Sequence, residues 1–473
     1  MCVLCVSVVT AASLLSPVVP SSLPIEKNIV SYEFTNKACS KSNLNKVVDN
    51  KICLKNGKVY RWAIKKESKI PVITPIPIPV PKTTSVPTPT PTPTQKPDLI
   101  EKGLNVNLCK MKEVSNARAM TGAGFPLWNS LTPRVGTVKW ALIPIDFPDL
   151  AGEKNFRSRV DQQMSLLSEW ESTVSEGKFK VEWVVAKDWV RMQAPTSEYA
   201  IPFSVNVNNA ANGPKLFRDA MSAADPVFDF TNIQTVNFIL PSGQIFLGET
   251  SQGFPWDQTV KEYITKEGPI SSYTIAGKFM DAPTRTYWSY WAHEFGHAIG
   301  LPHIGSSHTP NPFHGLDLMG SQDGPSRELS GWLRFFAGWM PDEKVYCQDA
   351  TSIKPTSLTL VPLSSSIPGL KMAIIKVSET KQIIIESRRV TKFSCSTSQA
   401  RNGVLVYTYD AMLGHGQEFL KPFEPAGRPL EGNSCGTVWD RDVILRPSDS
   451  ITVEGIKITV ISSGTSDYIK IEK

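Results

Sequence analysis

At 473 residues the chain is too long for one ordinary core, and its 41% apolar and 20% charged content is that of a chain that mostly folds. The net charge of +6 is local: residues 25–70 hold eleven Lys/Arg against four Asp/Glu, residues 1–24 carry no charge, and everything after Ile70 sums to −1. The basicity therefore says nothing about the main body and implies no specific nucleic-acid partner.

Residues 1–24 are uncharged and apolar with small residues at Ala11, Ala12 and Ser13, which reads as a secretory signal peptide, although the usual basic start is missing. Pro17 and Pro20 argue against a spanning helix, and no other segment approaches transmembrane length, so the mature chain is expected to be secreted without a membrane anchor. Residues 25–70 form a small basic module in which Cys39 and Cys53 bracket a loop and Lys58 to Ala63 (KVYRWA) resembles a short strand. A module of this size buries little apolar surface and needs a disulfide. Its charge reads either as attachment to an anionic polymer such as cell wall or nucleic acid, or as a solvated spacer. Residues 71–97 contain ten prolines, a linker that should populate extended polyproline II and hold the parts apart by about 80 Å at most.

Beyond Cys2 and Cys5 lie six cysteines, an even number that favours disulfides in an exported chain. The linker isolates Cys39 with Cys53. Three pairings are open to the other four, of which Cys109–Cys347 with Cys395–Cys435 is preferred. Cys109 could instead block a metal ahead of the main body, but a disulfide is the better reading. No C-x-x-C pair exists for a thiolate zinc site.

Residues 98–348 alternate strand and helix signals. Val138 to Phe147 is dense enough to be a buried strand, and Phe156, Val160, Met164, Leu167 and Val174 lie at helical spacing. Lys178 to Ala186 alternates like a half-buried strand, Leu216 to Ala224 reads as a helix, and Thr235 to Leu240 as a strand. The decisive segment is Tyr287 to His303, YWSYWAHEFGHAIGLPH. Trp288, Trp291, Phe295 and Ala298 give it a helical apolar face, so His293 and His297 stand one turn apart and can share one zinc ion, with Glu294 beside them as general base. Gly300 ends the helix and lets the chain double back to bring in His303. Three neutral nitrogens leave a fourth position for a water whose pKa the ion lowers to about 7 for attack on a carbonyl. A helix at Ser330 to Met340 would bury Trp332, Leu333, Phe336 and Trp339 under the site. From about Ser357, in residues 349–473, short strands (Met372 to Val377, Ile383 to Ser387, Val404 to Tyr409, Ile456 to Val460) alternate with Gly/Ser/Pro turns, an all-β tail.

The string H-E-x-x-H-x-x-G-x-x-H resembles the zinc signature of the metzincin metallopeptidases, which place a methionine-containing turn beneath the metal. Gly315 to Gly320 (GLDLMG) supplies that turn, and the resemblance implies that Met319 packs under the histidines without touching zinc. Within that group the chain is similar to secreted bacterial peptidases of the immune-inhibitor-A type, through IPIDFPD at 143–149, DLMGS at 317–321, the GW pairs at 331–332 and 338–339, ESR at 386–388 and GVLVYTYD at 403–410, over roughly residues 105–473. Ile304 departs from the acidic or small residue that many metzincins carry after the third histidine. No tyrosine follows Met319 before Tyr346, which implies that the tyrosine ligand of the astacin group is absent. The resemblance implies an α/β (α+β) metzincin-type catalytic domain over 98–348 followed by a β-rich domain over 349–473, and an endopeptidase acting on protein or peptide.

His308 and His314 flank the site as candidates for substrate contact, and as loop histidines they also fit simple solvation. Asp317 fits turn hydrogen bonds better than metal ligation. Asp146 and Asp149 could serve calcium, but no loop shows a calcium-ligand spacing. The rival readings are a catalytically silent extracellular binding or adhesion protein that keeps the fold, and a zinc amidase acting on cell-wall material.

Overall fold

The computed structural model describes residues 28–40, 47–48, 51–56 and 59–69, and then 103, 105–115, 122–199, 212–244, 246–247, 251–255, 257–277, 286–305, 312–322, 327–394, 402–425 and 442–473. The chain divides into two compact units, Met1–Thr94 and Gln95–Lys473. The leader, the proline-rich stretch, Cys395 and Cys435 lie outside the described residues.

The first unit is one antiparallel sheet of β1 (Asn28–Ala38), β2 (Val47–Val48), β3 (Lys51–Asn56) and β4 (Val59–Lys69), in the order β1-β4-β3-β2. The strand expected to end at Ala63 thus runs on to Lys69. Cys39 and Cys53 are bridged as the sequence suggests, with their Cα atoms 6.1 Å apart, and Cys53 and Ala63 are buried. Eight of the eleven basic side chains that motivated the polymer-binding reading lie outside the described residues.

The second unit opens with β5 (Gly136–Asp146), α1 (Arg157–Val174) and β6 (Phe179–Val185). There follow β7 (Val190–Arg191), α2 (Asn212–Ala224), β8 (Ile233–Ile239), β9 (Ser251–Gly253), the small hairpin of β10 (Ile264–Thr265) and β11 (Gly268–Pro269), and β12 (Ser272–Ile275). Their sheet has the order β6-β5-β8-β12-β9, parallel except for the edge strand β9, and β7 pairs with the end of β5. Next come α3 (Tyr287–Ala298) and α4 (Gly331–Phe336). The rest is β13 (Val345–Asp349), β14 (Thr356–Leu360), β15 (Met372–Lys376), β16 (Lys381–Arg388), β17 (Gly403–Asp410), β18 (Leu420–Pro422), β19 (Ile444–Leu445), β20 (Ser450–Val453), β21 (Ile456–Ser463) and β22 (Asp467–Glu472). These make a sheet of order β13-β15-β16-β17-β18, with β19 also on β17, and an antiparallel sheet of order β14-β22-β21-β20. The unit is mixed α+β, with many strands and few helices.

Strand periodicity explains how the layers stack. Along β5, Val138, Trp140 and Leu142 point to a core with α1, α3 and α4, while Ala141, Ile143 and Ile145 point to α2. β16 and β17 divide the same way. Ile384, Leu405, Tyr407 and Tyr409 join the helical core, and Ile383, Ile385, Val404 and Val406 pack on the β14–β22 sheet. One apolar core therefore runs unbroken from the first sheet through the helices to the C-terminal sheet, and the boundary expected at residues 348–349 falls inside it. The Cys109–Cys347 disulfide, with Cα atoms 6.1 Å apart, clamps the same region, so Cys109 does not serve as a metal-blocking thiol.

The helix expected from Ser330 to Met340 stops at Phe336. Ser330 caps its start by accepting the Leu333 amide at 3.4 Å. Gly338 adopts φ +78°, its amide reaches Phe335 O at 3.0 Å, and the Trp339 amide returns to Arg334 O at 2.9 Å. That left-handed closure ends the helix while leaving Trp339 buried.

Candidate active site

Every residue of α3 is buried. Phe295 stacks on Phe179 at 4.8 Å between centroids and Trp291 packs on Trp183 at 5.2 Å, which fixes the rotation of the helix and so the face its histidines present. Gly300, at φ +103°, closes the helix as the sequence suggests: its amide bonds His297 O at 2.9 Å and the Leu301 amide bonds Gly296 O at 2.8 Å. The turn carries the chain back to His303. A Cβ on Gly296 would stand 2.6 Å from Met319 Sδ, so the glycine inside the motif is what lets the buried methionine lie directly against the helix, one residue from His297.

His293, His297 and His303 converge, with candidate ligand atoms all within 4.8 Å of one another. His293 Nε2 is 2.9 Å from His303 Nε2 and 3.1 Å from His297 Nε2. His293 donates Nδ1–H to Leu318 O at 2.8 Å, and His297 donates Nδ1–H to Leu301 O at 2.9 Å. A neutral imidazole that donates from Nδ1 presents only a lone pair at Nε2. Two such lone pairs 3.1 Å apart repel unless a cation lies between them. Nitrogens 2.0–2.1 Å from a tetrahedral zinc are about 3.3 Å apart, close to the spacing seen here, so this donor set fits a metal ion. Burial pushes the His293 imidazolium down to about 4, against the opposing pull of its Leu318 bond. Burial and the charges of His293 and His303 hold His297 well below the ordinary histidine range. Both are thus kept in the neutral form that a metal requires.

Glu294 lies on the same helix with Oε2 unpartnered, in a recess also lined by Thr274, Gln252 and Phe254 from β12 and the segment that follows β9's start. Burial pushes its carboxyl up to about 8.

No protein-family model matches the chain, nor does any curated protein sequence. Among the solved structures that are similar, the identity is low. Wild-type OgpA from Akkermansia muciniphila is 11% identical over 64% of this chain and 98% of its own, with a TM-score of 0.27. Catalytically inactive OgpA in complex with an O-glycopeptide (glycodrosocin) substrate is 11% identical over 63% and 84%, with a TM-score of 0.22. The chemistry below rests on the side chains alone.

Around the centre, Asp317 accepts the amides of Met319 at 2.7 Å and Ser330 at 2.6 Å, the turn role anticipated for it. Arg388 reaches beneath the same turn to Leu316 O at 2.7 Å and pairs with Glu386, which accepts the Gly331 amide at 2.8 Å and the Tyr407 hydroxyl at 2.7 Å. A buried network from β16 and β17 thus floors the site. Asp146 pairs with Arg191 at 2.7 Å and Asp149 accepts from Thr196 at 2.7 Å, so protein donors occupy both carboxylates once considered for calcium. His308 and the side chain of His314 lie outside the described residues. Sequence reasoning missed His415, whose ring lies parallel to His303's at 5.4 Å and 15°. A lone histidine between glycines, in a strand-rich tail, gives no local signal.

Proposed function

We propose that this chain is a secreted zinc-dependent endopeptidase of metzincin type, in which His293, His297 and His303 hold the ion and Glu294 is the general base. The observation that carries the reading is the convergence of three imidazoles, with His293 Nε2 2.9 Å from that of His303 and 3.1 Å from that of His297, while two of the rings spend their Nδ1–H on carbonyls. The H-E-x-x-H-x-x-G-x-x-H string and Met319 packed against Gly296 support the metzincin assignment. Two disulfides accord with export, and among the described residues no helix is long and apolar enough to cross a membrane.

A zinc ion at this site supplies Lewis-acid polarisation of the scissile carbonyl and lowers the pKa of water. Glu294 takes the proton of the attacking water and passes it to the amine as the C–N bond breaks. α3, locked by its aromatic contacts, holds Glu294 in fixed relation to His293 and His297.

The test separates binding the metal from using it. Glu294→Ala should retain about one zinc per chain while losing roughly 10²–10⁴-fold in peptide turnover, whereas His303→Ala should lose the metal. Chelation should silence the wild type and zinc should restore it. Turnover by Glu294→Ala at the wild-type rate defeats the proposal. Release of cell-wall amides with no cleavage of a mixed peptide library would redirect it to an amidase.

A further inference from the structure

His293 and His297 owe their positions to a helix, and each is pinned by its own Nδ1–H to a carbonyl. His303 lies past the helix end, in irregular backbone. Ile304 N–H ties the next residue to Met319 O at 3.1 Å, and a further set of contacts to this segment comes from 112 residues along the chain. The turn joining β17 to β18, residues 411–419, runs beside residues 303–305. His303 N–H donates to His415 Nδ1 at 3.4 Å, Gly416 N–H donates to His303 O at 3.0 Å, and Gly305 N–H donates to Gln417 O at 2.8 Å. These bonds fix the backbone of the third histidine on both sides, while the stacked rings of His303 and His415 fix its side-chain plane.

The turn is itself rigid. Gly416 takes φ +74°, Gln417 bonds Gly414 through both its amide (3.0 Å) and its side chain (2.8 Å), and the Asp410 amide closes on Phe419 O at 2.9 Å. It is tied outward as well: the Ala411 amide reaches Thr380 O at 2.7 Å and its carbonyl accepts Val114 N–H at 2.8 Å. His415 is not among the residues whose ligand atoms lie mutually within 4.8 Å, and its Nδ1 is turned to an amide. Its ring also lies 5.9 Å from that of His297, tilted by 50°, but the hydrogen bonds of the turn go to His303 and Gly305, and it is through His303 that it bears on the centre.

We propose that His415 is a positioning residue for the third metal nitrogen, and that the β17–β18 turn of the C-terminal sheet is a structural part of the metal centre. This rests on the metallopeptidase reading above. In neutral His415 the Nδ1 acceptor places the ring proton on Nε2, so its function here needs an acceptor at the Nδ1 position and a flat ring over His303.

Three variants of the full chain divide these contributions. His415→Asn keeps an acceptor near the Nδ1 position, His415→Phe keeps the flat ring, and His415→Ala keeps neither. The readouts are zinc affinity by chelator competition, the visible absorption of the cobalt-substituted protein, and kcat and KM on a peptide. His415→Ala should bind zinc roughly 10–100-fold more weakly and change the cobalt spectrum, because partners that orient a ligand contribute on that scale. His415→Asn and His415→Phe should each recover part of the affinity. KM should stay within a factor of about two, since the residue does not hold substrate. If His415→Ala does not fold, the Asn and Phe variants decide: wild-type zinc affinity and cobalt spectrum in both would overturn the proposal. Unchanged affinity and spectrum in His415→Ala, with or without loss of kcat, would overturn it too. Wild-type protein that binds no zinc and cleaves no peptide would instead sink the underlying assignment, which keeps the two failures distinct.

Discussion

Glu171 sits on α1 at 0% exposure, and neither carboxylate oxygen finds a hydrogen-bond partner. Burial alone pushes its carboxyl well above the ordinary value of 4.5. The folded chain therefore keeps this proton to a higher pH than the unfolded chain does. Stability should fall as pH rises above the unfolded value, by about 1.4 kcal/mol per unit from this group, until the folded value is reached. Glu171→Gln keeps the shape without the titration. Its Tm should exceed wild type at pH 8, with the gain shrinking toward pH 5, and thermal unfolding at both values checks this. A gain independent of pH would show that the proton is not the cause. At this scale the sequence was most legible where chemistry is local, because His293, Glu294, His297, Gly300 and His303 lie within one short window. Glu171 was not, since a glutamate on the stripe itself, four residues after Leu167 and three before Val174, gives no sign of how completely it is covered.

At the scale of elements, α3 and α4 end in the same way, with a left-handed glycine and two reversed hydrogen bonds. The ends serve different purposes. Gly338 merely stops a helix under the site, whereas Gly300 aims the backbone that delivers His303. Gly300→Ala forces a side chain into φ +103° and sets a Cβ 3.2 Å from Leu127, which should cost about 1–2 kcal/mol and weaken zinc binding besides. Gly338→Ala, with open space for its Cβ, should cost similar stability and leave zinc affinity unchanged. Equal metal loss in both, measured beside denaturant unfolding, would contradict the division. The sequence showed the first end because Gly300 follows the second histidine at a fixed spacing. It showed the second poorly, because the apolar residues of SGWLRFFAGWM continue past the glycine and periodicity alone runs the helix on to Met340.

For the whole molecule, the change of texture near residue 349 marks where helices give way to strands, and texture reports local conformation rather than packing partner. β17 is apolar on both faces, which signals that both are covered without saying by what, and the Gln382, Glu386 and Arg388 that share a face of β16 with Ile384 hide the same burial behind polar side chains. One cover is the core of α3 and α4. Two truncations follow from this. Removing residues 25–97 should leave peptide turnover unchanged, because Gln95–Lys473 is a compact unit of its own, and should weaken salt-sensitive retention on cell-wall sacculi if the basic module binds anionic polymer. Removing residues 349–473 should expose one face of the helical core and yield protein that neither unfolds cooperatively nor binds zinc. A folded, zinc-loaded product ending at residue 348 would refute that dependence.

The clasp between residues 303–305 and 415–417 also sets an order in time. A chain made N-terminus first has both helical histidines and the base long before it has the turn that fixes His303. The intervening 112 residues take roughly 6–22 s to synthesise at about 5–20 residues per second. If the centre is the peptidase site proposed above, its third ligand takes its place only once residues 415–417 have been made.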